Sequence, residues 1–362
     1  MKDQIRERAI LVGVRDKRED EYRFKAKLNE LEGLVKAAGG DVVATLIQTR
    51  ERPSSSIYIG KGKLEELKHL RSVLNPDLIV FDRELSPVQI RNLEEALEIK
   101  IVDRTLLILD IFSQRARSKE GILQVELARL QYKLPRLTGR GKEMSRLGGG
   151  IGTRGAGEQK LELDKRHIRR RIQEIKKQLE QVKDMRRLHR KRRERAGIKE
   201  ISLVGYTNAG KSSLFNVLCR HFHMSKSEQV EADDRLFQTL DTTTRKIRLN
   251  DKNEVLITDT VGFIQDLPHH LVAAFRSTLE ETVYADVLLH VIDISDPEYI
   301  DKIETVEGVL EDLGVDKSRI IPVYNKIDLV DDLSMKNGSA AYVSAKTGQG
   351  LNELALKIEM RL

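Results

Sequence analysis

The sequence predicts an α/β protein: an N-terminal α/β domain with a long helical hairpin, followed by a domain built on a doubly wound sheet. Three observations carry this. Short apolar runs alternate with amphipathic stretches over residues 8 to 104 and again from Lys199 to Leu362, the pattern of strands and helices in open layered sheets. Between those regions the periodicity is purely helical, interrupted in its middle by a glycine-rich stretch. The length of 362 residues suffices for two or three domains, each with its own core.

In chain order, the apolar runs predict strands at Ala9–Val14, Asp41–Ile47, Leu78–Phe81 and Lys100–Val102. Helices are expected over about Asp20–Ala38, Lys63–Leu74 and Pro87–Leu97, with Gly39-Gly40 ending the first because glycine tolerates the left-handed cap. These elements define a first domain at residues 1–112. Leu123, Leu127, Leu130 and Leu134 then recur at helical spacing until Pro135, and Ile168, Ile172, Ile175, Leu179 and Val182 repeat the rhythm further on. Two seams of one period predict an antiparallel helical hairpin over residues 113–197. Its second arm, Lys160 to Arg195, would be about 50 Å long at 1.5 Å per residue. The join, residues 136–157, contains eight of the chain's 24 glycines. Each glycine costs about 1 kcal/mol in a helix relative to alanine, so the join is a loop. Within it Gly150-Ile151-Gly152-Thr153-Arg154-Gly155 has dinucleotide-fingerprint spacing, but no strand precedes it and no βαβ unit surrounds it, so that reading is rejected. The third domain, residues 198–362, has apolar runs at Ile201–Val204, Val255–Thr258, Val287–Ile292, Ile320–Tyr324 and Ala341–Val343, with a strand-like stretch at Thr244–Leu249.

Charge is unevenly placed. The chain has 64 Lys+Arg against 57 Asp+Glu, yet residues 136–195 alone hold 21 Lys+Arg against 8 Asp+Glu. That local field suits a polyanion, nucleic acid or an anionic membrane surface, and the charge run taken alone suits a solvated charged helix equally well. The single Cys219 excludes an internal disulfide, and we read it as core. The start is too charged for a signal sequence, and apolar runs such as Leu106–Leu109 fall far short of the ~18 residues of a membrane span. A cytoplasmic monomer with no membrane span is expected.

The chemistry concentrates after residue 198. Gly205-Tyr206-Thr207-Asn208-Ala209-Gly210-Lys211-Ser212, followed by Ser213, satisfies G-x-x-x-x-G-K-[ST] between a strand and a helix. Its amides and the helix N-terminus can surround phosphate oxygens, Lys211 adds a full charge, and Ser212 can give its hydroxyl to Mg²⁺. Asp259-Thr260-Val261-Gly262 closes a later strand, where Asp259 can hold Mg²⁺ through water and the Gly262 N–H can meet the γ-phosphate. Asn325-Lys326-Ile327-Asp328 follows another strand; Asp328 can accept both N–H groups of guanine's Watson–Crick edge, which favours GTP over ATP. Ser344-Ala345-Lys346 can present an amide to guanine O6. Four such elements in order, each at a strand end, predict a P-loop GTPase. Phe237-Gln238-Thr239-Leu240-Asp241 lies between the first two, and Thr239 is the candidate for the second hydroxyl on Mg²⁺, with Thr242, Thr243 and Thr244 as competitors. Lys211, Thr239 and Gly262 are thus the residues expected to act on the γ-phosphate. Phe263 stands where many GTPases carry a water-orienting glutamine, so slow intrinsic hydrolysis is expected, with the missing group supplied by a partner or by Gln238 or Gln265.

Together these residues resemble the HflX family of ribosome-associated GTPases, within the Obg-HflX-like P-loop GTPases, over nearly the whole chain. The resemblance rests on Phe237-Gln-Thr-Leu-Asp-Thr-Thr-Thr-Arg245, Asp259-Thr-Val-Gly-Phe-Ile264 and the loop Gly148-Gly-Gly-Ile-Gly-Thr-Arg-Gly-Ala-Gly-Glu158, which ordinary GTPases lack. Ala156 stands where the family usually has proline, and no C-terminal extension of the kind some relatives carry is expected. The resemblance implies a GTP form that binds the large ribosomal subunit, a role in splitting or rescuing ribosomes or in their assembly, Thr239 as the switch threonine on Mg²⁺, and entry of the Gly-rich loop into ribosomal RNA. Arg140, Lys142, Arg146 and Arg154 suit such an RNA target. Tyr132 is the sole ring in or beside the basic region in sequence, so backbone contacts with steep salt dependence are expected rather than base stacking. Competing readings are an RNA-binding assembly factor tuned by nucleotide and a regulatory GTPase directed at proteins. Among weaker signals, His221, His223, His269 and His270 lack partners at ligand spacing and read as surface or loop histidines. Gly60-Lys61-Gly62-Lys63 reads as an ordinary loop before a helix rather than an anion nest, and no motif supports a second nucleotide site in the N-terminal layer.

Overall fold

The alternating pattern folds into two separate sheets in the computed structural model, which describes residues 6–137, 156–222, 242–249, 253–264, 282–331 and 338–362. The chain divides into two compact units, one of Met1–Gln114 with Ile122–Leu179, the other of Arg115–Gly121 with Glu180–Leu362. The helices of the basic hairpin are therefore shared between the units.

In the first unit β1 (Arg8–Asp16), α1 (Glu21–Ala37), β2 (Asp41–Arg50), α2 (Lys61–Leu74), β3 (Leu78–Phe81), α3 (Pro87–Leu97) and β4 (Lys100–Asp103) build a parallel sheet of order β2-β1-β3-β4. Helix starts follow local chemistry. Asp20 caps α1 by accepting from Arg23 N, and Ser86 and Gln89 form a capping box on α3 with Pro87 in its first turn. Central β1 is buried from Ala9 to Val14, as a strand covered on both faces must be. Gly60 is the N-cap of α2, and its N–H is taken by Gln48 Oε1 at 2.8 Å, which agrees with an ordinary helix start there.

Helix α4 (Arg104–Arg115), absent from the sequence expectation, follows β4 without a loop. Buried Asp103 substitutes for one: its carboxylate accepts Leu106 N at 2.8 Å and Leu85 N at 3.0 Å. Helix α5 (Lys119–Arg136) continues one residue past Pro135, which sits in the last turn, where the helix has almost ended. Helix α6 (Ala156–Arg195) has 40 residues, about 60 Å of helix, and starts four residues before the expected arm. Its first residue is the position at which the family usually has proline, a residue well suited to a helix start. Leu123, Leu127 and Leu130 pack against Ile172, Ile175 and Leu179, the expected seam. Ion pairs Glu126–Arg171 and Glu120–Arg186 join the helices in antiparallel order. Most of the Gly-rich join, with Arg140, Lys142, Arg146 and Arg154, lies outside the described residues.

The second unit comprises β5 (Lys199–Gly205), α7 (Lys211–His221), β6 (Thr243–Leu249), β7 (Asn253–Asp259), β8 (Val287–Asp293), α8 (Tyr299–Asp312), β9 (Ile320–Asn325), β10 (Ala341–Tyr342) and α9 (Leu351–Glu359). The sheet order is β10-β9-β8-β5-β7-β6. All pairs are parallel except β6–β7, which is antiparallel from Thr243 opposite Asp259 to Leu249 opposite Asn253. The three residues between these strands are too few for a parallel crossover, so the doubly wound sheet gains an antiparallel edge. β5 has β7 on one side and β8 on the other, and the crevice at its carboxyl end is where open sheets take ligands.

Candidate nucleotide site

The phosphate loop leaves that carboxyl end. Gly205 has φ of 149°, and a Cβ there would lie 2.2 Å from Val291 O, so only glycine lets β5 pass β8 this closely. Gly210, at φ of 87°, starts α7 and leaves no room for a Cβ beside Asn325 Nδ2, 2.3 Å away. Lys211 is buried, with its Nζ donating to Tyr206 O at 2.8 Å and Gly205 O at 3.1 Å, so the ammonium is held inside its own loop. Burial pushes its pKa down to about 8, partly opposed by Asp259.

Asp259, fully buried at the end of β7, accepts the Ser212 hydroxyl at 2.7 Å, and Thr260 Oγ1 donates to Leu203 O at 2.6 Å. After Val261, Gly262 passes directly over the loop: a Cβ would lie 2.9 Å from Lys211 Nζ and 3.0 Å from Thr207 Cα. Phe263 then clips the segment in place. Its N–H donates to Gly205 O at 3.1 Å, and its carbonyl accepts Thr207 N at 2.7 Å. The Phe263 ring is buried with Val204, Tyr206, Leu288 and Leu310. The position therefore holds the fold and presents no side chain to a phosphate.

Asn325 joins two motifs. Its Nδ2 donates to Ala209 O at 2.9 Å, and its Oδ1 accepts Ala345 N at 3.0 Å. Asp328 is exposed, with one carboxylate oxygen accepting the Ser344 hydroxyl at 2.6 Å. Ile327 is buried, and Lys346 is exposed beside Ala345. Lys326 has φ of 64° and pairs with Asp293 at 2.6 Å. Asp293, at the end of β8, also accepts the N–H and hydroxyl of Ser295. Sequence reasoning missed Asp293; its only signal was a short Asp-x-Ser turn after a strand.

Phe237, Gln238, Thr239, Leu240, Asp241 and Gln265 lie outside the described residues, as do His223, His269 and His270. Of Thr239's competitors, Thr244 is engaged in the sheet through Thr258 Oγ1 at 2.9 Å, and Thr243 is in β6. His221 bonds Asn352 at 2.9 Å and stacks edge-on against Phe222, a packing role. Cys219 packs on the sheet core, and burial raises its pKa to about 11. Among the described residues no group of three or more His, Cys, Asp or Glu could hold a metal. A hydroxyl and a carboxylate in contact nevertheless suit Mg²⁺, which keeps several waters and takes few protein oxygens when phosphates share it.

Residues 25–113 match the family model for the GTP-binding GTPase N-terminal domain, residues 115–193 that for the GTP-binding GTPase middle region, and residues 200–326 that described as 50S ribosome-binding GTPase. GTPase HflX of Caldanaerobacter subterraneus subsp. tengcongensis is 52% identical over 99% of this chain and 81% of its own length. The chain belongs to the HflX family of GTPases. GTPase HflX of Escherichia coli K12 is 42% identical over 92% of this chain and 79% of its own. Among solved structures, SsGBP in complex with GDP is similar at 26% identity and a TM-score of 0.53, covering 98% of each chain. The GTP-binding protein of Sulfolobus solfataricus in complex with GDP shows 27% and 0.50 over the same shares. As an HflX family member, the protein is a GTP-hydrolysing enzyme.

One buried group near the loop makes a stability prediction. His290, opposite Val204 in β8, has its pKa pushed down to about 4, chiefly by burial and secondarily by the Lys211 charge. Below the ordinary value of 6.5 the unfolded chain takes up a proton that the fold refuses, so stability is lost as pH falls from 6.5 toward 4. The loss is on the order of 3 kcal/mol across that window. Urea unfolding of the nucleotide-free protein at pH 7 and pH 5 is expected to lose more stability in the wild type than in His290→Leu.

Proposed function

We propose that this HflX GTPase binds the large ribosomal subunit and its RNA in the GTP form, that hydrolysis to GDP and phosphate releases it, and that the cycle serves ribosome splitting, recycling or rescue. One arrangement carries the reading. The unit that gathers the phosphate loop, Asp259–Gly262 and Asn325–Asp328 at strand ends also contains residues 180–195 of α6, with 8 Lys+Arg against 3 Asp+Glu. The description of the matched model, 50S ribosome-binding GTPase, supports the target. Residues 1–112, 113–197 and 198–362 are then a layer, a basic arm and a motor.

In this reading the loop amides of 206–213 and Lys211 hold the phosphates, Asp328 and the Ala345 amide read guanine, and Asn325 keeps those two halves in register. Ser212 and Thr239 would hold Mg²⁺ directly and Asp259 through water; the ion would neutralise charge on the β- and γ-phosphates. Lys211 and the Gly262 N–H stabilise charge developing on the γ-phosphate. Because the Phe263 ring is packed in the core, the chain orients the attacking water poorly from this position, and turnover without a partner is slow.

Co-sedimentation with ribosomal subunits in GTP analogue, GDP and no nucleotide tests the reading. Binding to the large subunit with the analogue alone supports it, nucleotide-independent binding favours an assembly factor, and no binding refutes it. Arg146→Gln with Arg154→Gln is expected to weaken subunit binding and leave GTP affinity intact. Asp293 acts here as a positioning residue for Lys326. Asp293→Asn is expected to lower GDP affinity about tenfold by calorimetry, the scale of a charge-assisted bond, with partial recovery in Asp293→Glu.

A further inference from the structure

The second half of α6 carries a groove of about 460 Å³ that no nucleotide motif explains. Lys183, Arg187, Arg190 and Lys191 line it at spacings of four, three and one, on one face of the helix. Its remaining wall is Glu180, Asp184, Arg186 and Glu194 of the same helix and Tyr284, from the segment just before β8 in the same unit, so cations outnumber carboxylates five to three. The Arg190 guanidinium carbon sits over the Tyr284 ring, 3.4 Å from its centroid. Its Nε is buried without a hydrogen-bond partner, against the ring. Tyr284 is 51% exposed nonetheless. Arg187 and Lys191 are exposed and make no ion pair among the described residues.

A ring braced by a cation, half open to solvent and flanked by unpaired cations, is the combination that holds single-stranded nucleic acid: a base on the π-face and phosphates along the charges. Tyr132, the aromatic the sequence places in the basic region, is buried and already covered by Arg136 at 3.3 Å from its centroid. Tyr284 is remote in sequence from the basic region. From this juxtaposition we infer that the Arg190–Tyr284 pair is a base-stacking platform for one unpaired RNA nucleotide, whose neighbouring phosphates lie against Arg187 and Lys191. The inference rests on the reading of an RNA target and assigns part of that contact to stacking rather than to charge alone.

The test uses the full chain with a GTP analogue and a fluorescent single-stranded oligoadenylate, compared with an abasic oligomer of equal length and charge. Wild type is expected to prefer the base-bearing strand about tenfold. Tyr284→Leu and Arg190→Gln are expected to reduce that preference, Tyr284→Phe to keep it, and all three to bind GDP as wild type does. Arg187→Gln with Lys191→Gln is expected to weaken both strands equally and to reduce the salt slope by about 1.4. Wild type without a base preference, or Tyr284→Leu that retains it, overturns the inference. Nucleotide-dependent co-sedimentation with the large subunit that persists alongside such a result leaves the proposed function standing; its loss removes both.

Discussion

Asp328→Asn is expected to cut GTP affinity about 10³-fold or more while creating affinity for xanthosine triphosphate. The carboxylate is exposed and accepts the Ser344 hydroxyl at one oxygen, 2.6 Å away, which leaves the second oxygen's acceptor capacity for a ligand. Guanine supplies two N–H donors to such a group. An asparagine presents an N–H where one of them would arrive, so the edges meet donor to donor. Sites built to hydrogen-bond a ligand reject a mismatched one by 10⁴–10⁵ when buried polar groups lose their partners, and the lower figure here allows for the exposed rim. Xanthine carries a carbonyl in place of guanine's amino group, which restores a donor–acceptor match to the amide. Calorimetry with guanosine and xanthosine nucleotides measures both arms. Loss of both affinities would mean that Asp328 supports the loop and does not read the base.

The candidate nucleotide site was legible because the geometry its motifs require is local. A turn that encloses phosphate needs glycine where Gly205 and Gly210 sit, and the requirement survives in sequence as fixed spacing. Asn325 shows the limit of that legibility. Its motif marks it, but its side chain contacts Ala209 and Ala345, a link between segments far apart in the chain. Asp293, Phe263 and Tyr284 lie beyond it. Sequence reading found Phe263 by the absence of glutamine and did not see that its backbone clips the phosphate loop and its ring fills a core. Tyr284 acquires meaning only when α6 places Arg190 on it. For the fold, strand alternation was readable in both units, and the misses had tertiary causes. Helix α4 is capped by a buried aspartate that belongs to a strand, and β6 runs antiparallel because a three-residue connection permits nothing else.

Gly262→Ala is expected to lower GTP turnover at least 100-fold while changing GDP affinity less than about threefold. The added Cβ would lie 2.9 Å from Lys211 Nζ, 2.9 Å from Thr207 Cγ2 and 3.0 Å from Thr207 Cα. Lysine can swing away, but the Thr207 backbone cannot, because its N–H is bonded to Phe263 O at 2.7 Å and the two segments are clipped together. The strain is therefore relieved by lifting residue 262 off the loop, which in the proposed reading carries its N–H away from the γ-phosphate and leaves Lys211 in place. GDP has no γ-phosphate and still meets the amides of 206–213, so its binding is largely spared. Removing a single preorganised donor from a developing oxyanion costs about 10²–10³ in turnover. Single-turnover hydrolysis with GDP calorimetry separates the effects. Equal loss of both would place Gly262 among the groups that build the loop, and unchanged hydrolysis would show that its N–H takes no part in the reaction.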